Sequence, residues 1–210
     1  GDVYKRQEED TLDGDAILLA TGRGPNTEGL HAERAGVELT KRGAVVTDKH
    51  LRTTAENIWA AGDVCGNLQF TYISLDDSRI ILSDMQGDGS RTTENRGAFA
   101  YSVFMEPSFS RVGLSEKEAA DKGLNYRVVR MNTDMIPKAK VLRKTTGMLK
   151  AVIDKDSGKI FGAALFCPES YEIINMVKLA MDHDLDYTVL RDFIYTHPTM
   201  SEGLNDLFAL

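Results

Sequence analysis

Thr53-Thr54-Ala55-Glu56-Asn57-Ile58-Trp59-Ala60-Ala61-Gly62-Asp63-Val64 carries the pattern from which the fold is read. Ile58 to Ala61 form a short apolar run expected to be a buried strand, and Gly62-Asp63 closes it. Glycine lets a backbone approach a ligand closely, and an aspartate offers acceptors for sugar hydroxyls. The alternative is a strand-to-loop turn in which Asp63 caps the next helix, because Gly-Asp pairs favour turns. Upstream, Ala16-Ile17-Leu18-Leu19-Ala20 reads as another apolar strand, followed by Thr21-Gly22-Arg23-Gly24-Pro25-Asn26. Taken alone, that loop is an ordinary Gly/Pro-rich connection. Downstream, Gly43 to Asp48 reads as a strand and Leu51 to Ala61 as an approach loop and strand. Thr71 to Met85 reads as a helix with apolar Tyr72, Leu75, Ile80, Ile81 and Met85.

Near the end of the chain stands His197-Pro198-Thr199-Met200-Ser201-Glu202. An imidazole and a carboxylate at this spacing suit proton transfer near neutral pH. The structural alternative is a last helix from about Pro198 to Phe208, with proline opening it and Glu202 in its first turns.

Between these regions, Gln86 to Asn95 is Gly-rich and polar and reads as a linker. Beyond it, Ala100 to Met105, Tyr126 to Met131, Gly147 to Ile153 and Ile160 to Phe166 read as strands, the last two joined by the turn Asp154 to Lys159. Ser115-Glu116-Lys117-Glu118 has the form of a capping box opening a helix, and Glu169 to Met181 is an amphipathic helix. The basic run from Arg127 to Lys150 is broken by apolar and acidic residues and reads as a solvated face.

The 210 residues, 42% of them hydrophobic, suffice for one substantial core, or for one core and part of a second. A net charge of -7 argues against a nucleic-acid partner, which needs a concentrated basic surface. No apolar run is long enough to span a membrane and no signal peptide is read. The two cysteines, Cys65 and Cys167, are far apart and belong to no CxxC or CxxxxC pair, so they read as small core residues of a reduced, cytoplasmic protein. No metal site is read.

In this order and spacing, the three segments resemble the flavin-dependent pyridine nucleotide-disulfide oxidoreductases, which include glutathione reductase, lipoamide dehydrogenase and mercuric reductase. Ala20-Thr21-Gly22-Arg23-Gly24-Pro25-Asn26 is similar to the family's crossing from the nicotinamide domain to the flavin domain. Ile58 to Asp63 resembles its second flavin motif, and His197 to Glu202 its C-terminal acid-base pair. Phe70 to Asp77, Tyr101 to Met105, Ser110 to Leu114 and Leu204 to Phe208 resemble the bacterial branch that reduces hypothiocyanous acid.

The resemblance implies an α+β interface (dimerisation) domain preceded by the C-terminal part of an α/β FAD/NAD(P)-binding domain. The expected division is 1–26, the tail of the NAD(P)-binding domain; 27–90, the end of the FAD-binding domain; and 91–210, the interface domain. It implies FAD and NADH or NADPH as cofactors, a homodimer, and a small-molecule oxidant as substrate. His197 and Glu202 are the implied catalytic pair. Gly62, Asp63 and the helix start at Thr71 are implied flavin contacts, with Gly22 and Arg23 near the nicotinamide.

The chain opens on Gly1 and holds neither a GxGxxG loop nor a close cysteine pair. It is therefore expected to be the C-terminal part of a longer enzyme, inactive alone. Lipoamide dehydrogenase-like or mercuric reductase-like chemistry, and a non-enzymatic dimerisation module, are the competing readings.

Overall fold

The computed structural model describes residues 14–210. The chain divides into two compact units, the first ending at Arg96 and the second spanning Gly97–Leu210. Residues 91–96, grouped with the second unit in the sequence reading, are bonded within the first. Arg91 pairs with Asp76, Arg96 with Asp77, and the Thr93 N–H donates to the Lys49 carbonyl.

In the first unit, β structure is reduced to isolated bridges: Leu39 with Val45, Thr47 with Thr53, and Arg52 with Trp59. The strand expected over Gly43 to Asp48 is therefore two isolated bridges, that over Ile58 to Ala61 is one, and Gly62–Cys65 is a 3-10 turn. Ala16 to Ala20 belong to no strand, and Ile17, Leu18 and Leu19 are exposed. A strand that is apolar on both faces needs neighbours on both edges, and none of the described residues supplies them.

Helix α1 runs Thr71–Gln86, as its periodicity predicts. Of the apolar residues in its sequence only part turn inward: Ile73, Asp77 and Ile80 are buried, whereas Tyr72, Leu75 and Met85 are exposed. Ile80 packs with Leu51 and Cys65 in a small core. Burial pushes the Cys65 thiol up to about 11, which makes it a packing group.

The second unit is a five-stranded antiparallel sheet in the order β1-β2-β5-β4-β3. Its strands are β1 Ala100–Val103, β2 Phe109–Gly113, β3 Tyr126–Asn132, β4 Met148–Asp154 and β5 Ile160–Phe166. Alternation sorts their side chains onto two faces. Val112, Ala163, Ala151 and Val129 lie in one cross-strand row, and Leu165, Leu149 and Met131 in the next. These rows share a core with Ile173, Ile174 and Val177 of α4 (Ser170–Asp182) and with Leu204, Leu207 and Phe208 of α6 (Gly203–Ala209).

An adjacent row, Arg111, Ala164, Lys150 and Arg130, is cationic. The short helix α2 (Glu116–Asp121) answers it: Glu116 pairs with Lys150 and Arg130, and Glu118 with Arg111. Part of the basic run is thus paired, not simply solvated. The capping box at Ser115 forms as its sequence predicts, and the Ser115 hydroxyl and N–H hold the Glu118 carboxyl down to about 2.

Strand β2, α3 (Pro137–Leu142) and α5 (Thr188–Arg191) were not expected as elements. Each is no more than six residues long, too short for periodicity to declare itself. Cys167 is fully buried and its thiol is pushed up to about 12, mainly by desolvation.

Gly147, at the entry to β4, has φ +133, and a Cβ there would lie 1.9 Å from the Phe166 carbonyl oxygen. Gly147→Ala is expected to cost about 2 kcal/mol or more, as a strained backbone position does. A denaturant midpoint unchanged from wild type would contradict the packing described here.

Candidate active site

The sequence-derived residues fall on both units, and each group is described within its own unit. In the first unit, Gly62 opens the 3-10 turn with φ +75 and is buried. A Cβ there would stand 2.7 Å from the Ser74 hydroxyl, so only glycine lets this turn close on the first turn of α1. The Gly62 N–H donates to Asp77 Oδ2 at 2.8 Å. Asp63 follows, partly exposed, and accepts from Arg23 Nη2 at 2.9 Å. The structure thus brings Arg23 onto Asp63, although the two are separated by 40 positions in sequence. Gly22 is exposed with φ +100, and Thr71 is exposed as the first residue of α1.

This donor set suits a nucleotide. Asp63 offers acceptors to hydroxyls, and Arg23 adds a cation beside it. The N-terminus of α1 has Phe70 at its cap and no side-chain capping bond, so a ligand oxygen with partial negative charge can take that place.

Sequence reasoning missed the support beneath this loop. Asp77 is 3% exposed and accepts from the Gly62 N–H and, at 2.7 Å, from Arg96 Nη2. Asp84, two turns further along α1, accepts from Arg52 through Nε and Nη2 at 2.7 and 2.6 Å and from Trp59 Nε1 at 2.8 Å. These bonds hold the Asp84 carboxyl below the ordinary carboxylate range, Arg52 first among them. The available signal was a carboxylate at helical spacing from Ile73 and Ile80, where an apolar residue is the usual occupant.

In the second unit, His197 Nδ1 lies 2.9 Å from Glu202 Oε2. An ionised carboxylate only accepts, so Nδ1 carries the proton and Nε2 presents its lone pair. The imidazole is 72% exposed while the Glu202 side chain is 13% exposed, an anchored acid under an accessible base. The Thr199 N–H also approaches Glu202 Oε2, at 3.4 Å. Tyr195, nearby in sequence, donates its hydroxyl to the Leu190 carbonyl, and burial pushes it up to about 12, out of range for proton exchange near neutrality.

Pro198 does not open a helix. The His197–Pro198 peptide is cis, residues 198–200 are irregular, Ser201 and Glu202 form a turn, and α6 starts at Gly203 with Glu202 at its N-cap. Local side-chain bonds compete with helix formation there: Thr199 Oγ1 donates to the Thr196 carbonyl at 2.7 Å, and Ser201 Oγ to Thr199 Oγ1 at 3.0 Å.

Residues 99–208 match the pyridine nucleotide-disulphide oxidoreductase dimerisation domain, and residues 1–78 match the pyridine nucleotide-disulphide oxidoreductase domain. The chain belongs to the pyridine nucleotide-disulphide oxidoreductases. Among curated relatives, it is 51% identical over 208 residues to "Probable pyridine nucleotide-disulfide oxidoreductase RclA" of Escherichia coli (strain K12), covering 99% of this chain and 47% of that protein. It is 35% identical over 198 residues to "Mercuric reductase" of Staphylococcus aureus, covering 94% of this chain and 36% of that one.

Among solved structures, "HOCl-induced flavoprotein disulfide reductase RclA from Escherichia coli" superposes with a TM-score of 0.93 at 52% identity, over 97% of this chain and 47% of that one. The chain therefore spans less than half the length of these relatives. No helix among the described residues is long and apolar enough to cross a membrane.

Removing the carboxylate beneath the Gly62 loop should loosen it. Asp77→Ala leaves Arg96 without its main partner, which for a buried pair costs about 3 kcal/mol. Hydrogen exchange of the 60–66 amides should accelerate in the full-length variant. Unchanged protection would show that the clamp does not hold the loop.

Proposed function

We propose that the full-length protein containing this chain is an FAD-dependent NAD(P)H oxidoreductase that reduces hypothiocyanous acid through a cysteine pair lying outside these residues. The observation that carries the reading is the His197–Glu202 pair, an exposed base on an anchored acid at 2.9 Å. Family membership supports the class of reaction. The 51% identity to the RclA relative, whose solved structure is titled an HOCl-induced flavoprotein disulfide reductase, supports an oxidant as substrate. Mercuric reductase chemistry is less well supported, at 35% identity.

Bound FAD supplies a two-electron relay between NAD(P)H and a disulfide. In this reading Asp63 and the N-terminus of α1 at Thr71 hold the flavin, Gly62 lets the loop close on α1, and Gly22 and Arg23 face the nicotinamide side. His197 manages the proton of the attacking thiol. Its Nε2 accepts the proton as the sulfur bonds to the sulfur of hypothiocyanous acid, then returns it to the departing hydroxide as water. The second sulfur, left as a thiolate when one hydride reduces the disulfide, then displaces thiocyanate and closes the disulfide. Overall, one hydride and one hypothiocyanous acid give thiocyanate and water. Glu202 holds the Nδ1–H throughout, so the proton exchanged is the one on Nε2.

The protein acts in this reading as a cytoplasmic homodimer joined through its C-terminal domain, with His197 serving the flavin site of the other subunit.

Turnover of the full-length protein with NADH or NADPH is expected to be fast with hypothiocyanous acid and slow with oxidised glutathione or mercuric ion, measured by stopped-flow. His197→Gln should lower kcat/KM for hypothiocyanous acid by about 100-fold, in the range of lost acid-base catalysis, with flavin content unchanged. Full activity in that variant would refute the role of His197. Asp63→Ala should separately weaken flavin retention, seen as loss of yellow colour on dialysis. A fully flavinated variant would remove Asp63 from the cofactor site.

A further inference from the structure

The segment that presents His197 has little structure of its own. Residues 192–202, between α5 and α6, contain no helix or strand, and the His197 ring is mostly exposed, so packing does not aim it. The Tyr195 hydroxyl ties the segment to the Leu190 carbonyl, and a second tie comes from Asn205. Its Nδ2 lies 3.2 Å from the Leu190 carbonyl oxygen, 2.7 Å from that of Arg191 and 3.0 Å from that of Phe193. Carbonyl oxygens only accept, so the amide group facing all three is the NH2, and its two hydrogens are shared among them. Leu190 and Arg191 end α5, where carbonyls lack partners within the helix. Asn205 therefore caps α5 from another helix and fixes the start of the segment that leads to His197.

Asn205 also stands one turn beyond Glu202, and its own N–H donates to the Glu202 carbonyl at 3.0 Å. One end of one helix thus holds both the backbone approaching His197 and the carboxylate that takes its ring. Leu204, Leu207 and Phe208, each at most 1% exposed, already anchor that helix, so the amide is not needed to keep it in place. Two of its acceptors end α5, and the third, Phe193, lies in the segment that leads to His197.

We infer that Asn205 is a positioning residue for His197, setting the imidazole in register with Glu202. The inference rests on the acid-base reading of His197 given above.

The test uses the full-length flavinated protein. Asn205→Asp keeps the size but turns an oxygen toward three carbonyl oxygens. The expected result is a fall of about 30-fold in kcat with hypothiocyanous acid, within the 100-fold that a 1 Å misplacement can cause. FAD content and the rate of flavin reduction by NAD(P)H should not change. In a His197→Gln background the same substitution should add less than about a two-fold loss, since residues acting through one another are not additive. Independently of turnover, amide exchange over 192–197 should accelerate while α6 stays protected.

Wild-type kcat in Asn205→Asp, or an equal further loss in the His197→Gln background, would overturn the inference. If Asn205→Asp does not assemble, Asn205→Ser, which cannot reach all three carbonyls, decides by the same criteria. An impaired His197→Gln with an unimpaired Asn205 variant refutes positioning alone. An unimpaired His197→Gln refutes the acid-base reading beneath it.

Discussion

The second unit depends on how α6 is seated. Leu204, Leu207 and Phe208 are almost completely buried with Met131 and Leu149 of the sheet and Ile136. Positions spaced three and four apart share one helical face, so burying these three fixes the rotation of α6 about its axis. Gly203 lets the first turn come close, since a Cβ there would press within 2.7 Å of Ile136 Cδ1. Once that rotation is set, the directions of Glu202 and Asn205 follow. The geometry at His197 is thus a consequence of apolar burial some distance from the imidazole. Each such side chain contributes on the order of 2 kcal/mol, more than the exposed hydrogen bond at His197 could supply on its own.

The first unit applies a different rule. Its helix α1 turns two carboxylates inward, and each collects donors from the 52–63 segment: Asp77 from Gly62, with Arg96 added from beyond the helix, and Asp84 from Arg52 and Trp59. A buried charge left unpaired is costly, so these bonds specify where the 52–63 segment can lie. The same segment carries Asp63. Hydrophobic burial therefore sets the His197–Glu202 pair, whereas buried polar pairing sets the loop that bears Gly62 and Asp63.

Elements with strong local signals were legible in the sequence. The Ser115 capping box, the β4–β5 hairpin with its Asp154 to Lys159 turn, and helices α1 and α4 lie where periodicity and turn chemistry put them. The readings that failed needed partners to be correct. Ile58 to Ala61 looked like a strand because it is apolar, but a strand is defined by its neighbours, and here it makes one bridge. The inward face of α1 was not legible from its apolar residues, because burial followed the donors available to Asp77 while Tyr72 stayed exposed. Pro198 was a plausible helix start until Thr199 and Ser201 took up local bonds.

The sequence by itself determined which groups are present for chemistry: a histidine five positions from a glutamate, a glycine-aspartate pair and an arginine-bearing loop. Those motifs, in their order along the chain, were enough to suggest the family by resemblance. Only the tertiary structure decided which groups meet. Arg23 reaches Asp63 across 40 positions, Arg96 reaches Asp77 across 19, and Asn205 reaches back 12 to 15 positions to three carbonyls. Such pairings depend on the orientation of packed elements, which is set by summed burial over many residues and leaves no local pattern in the chain.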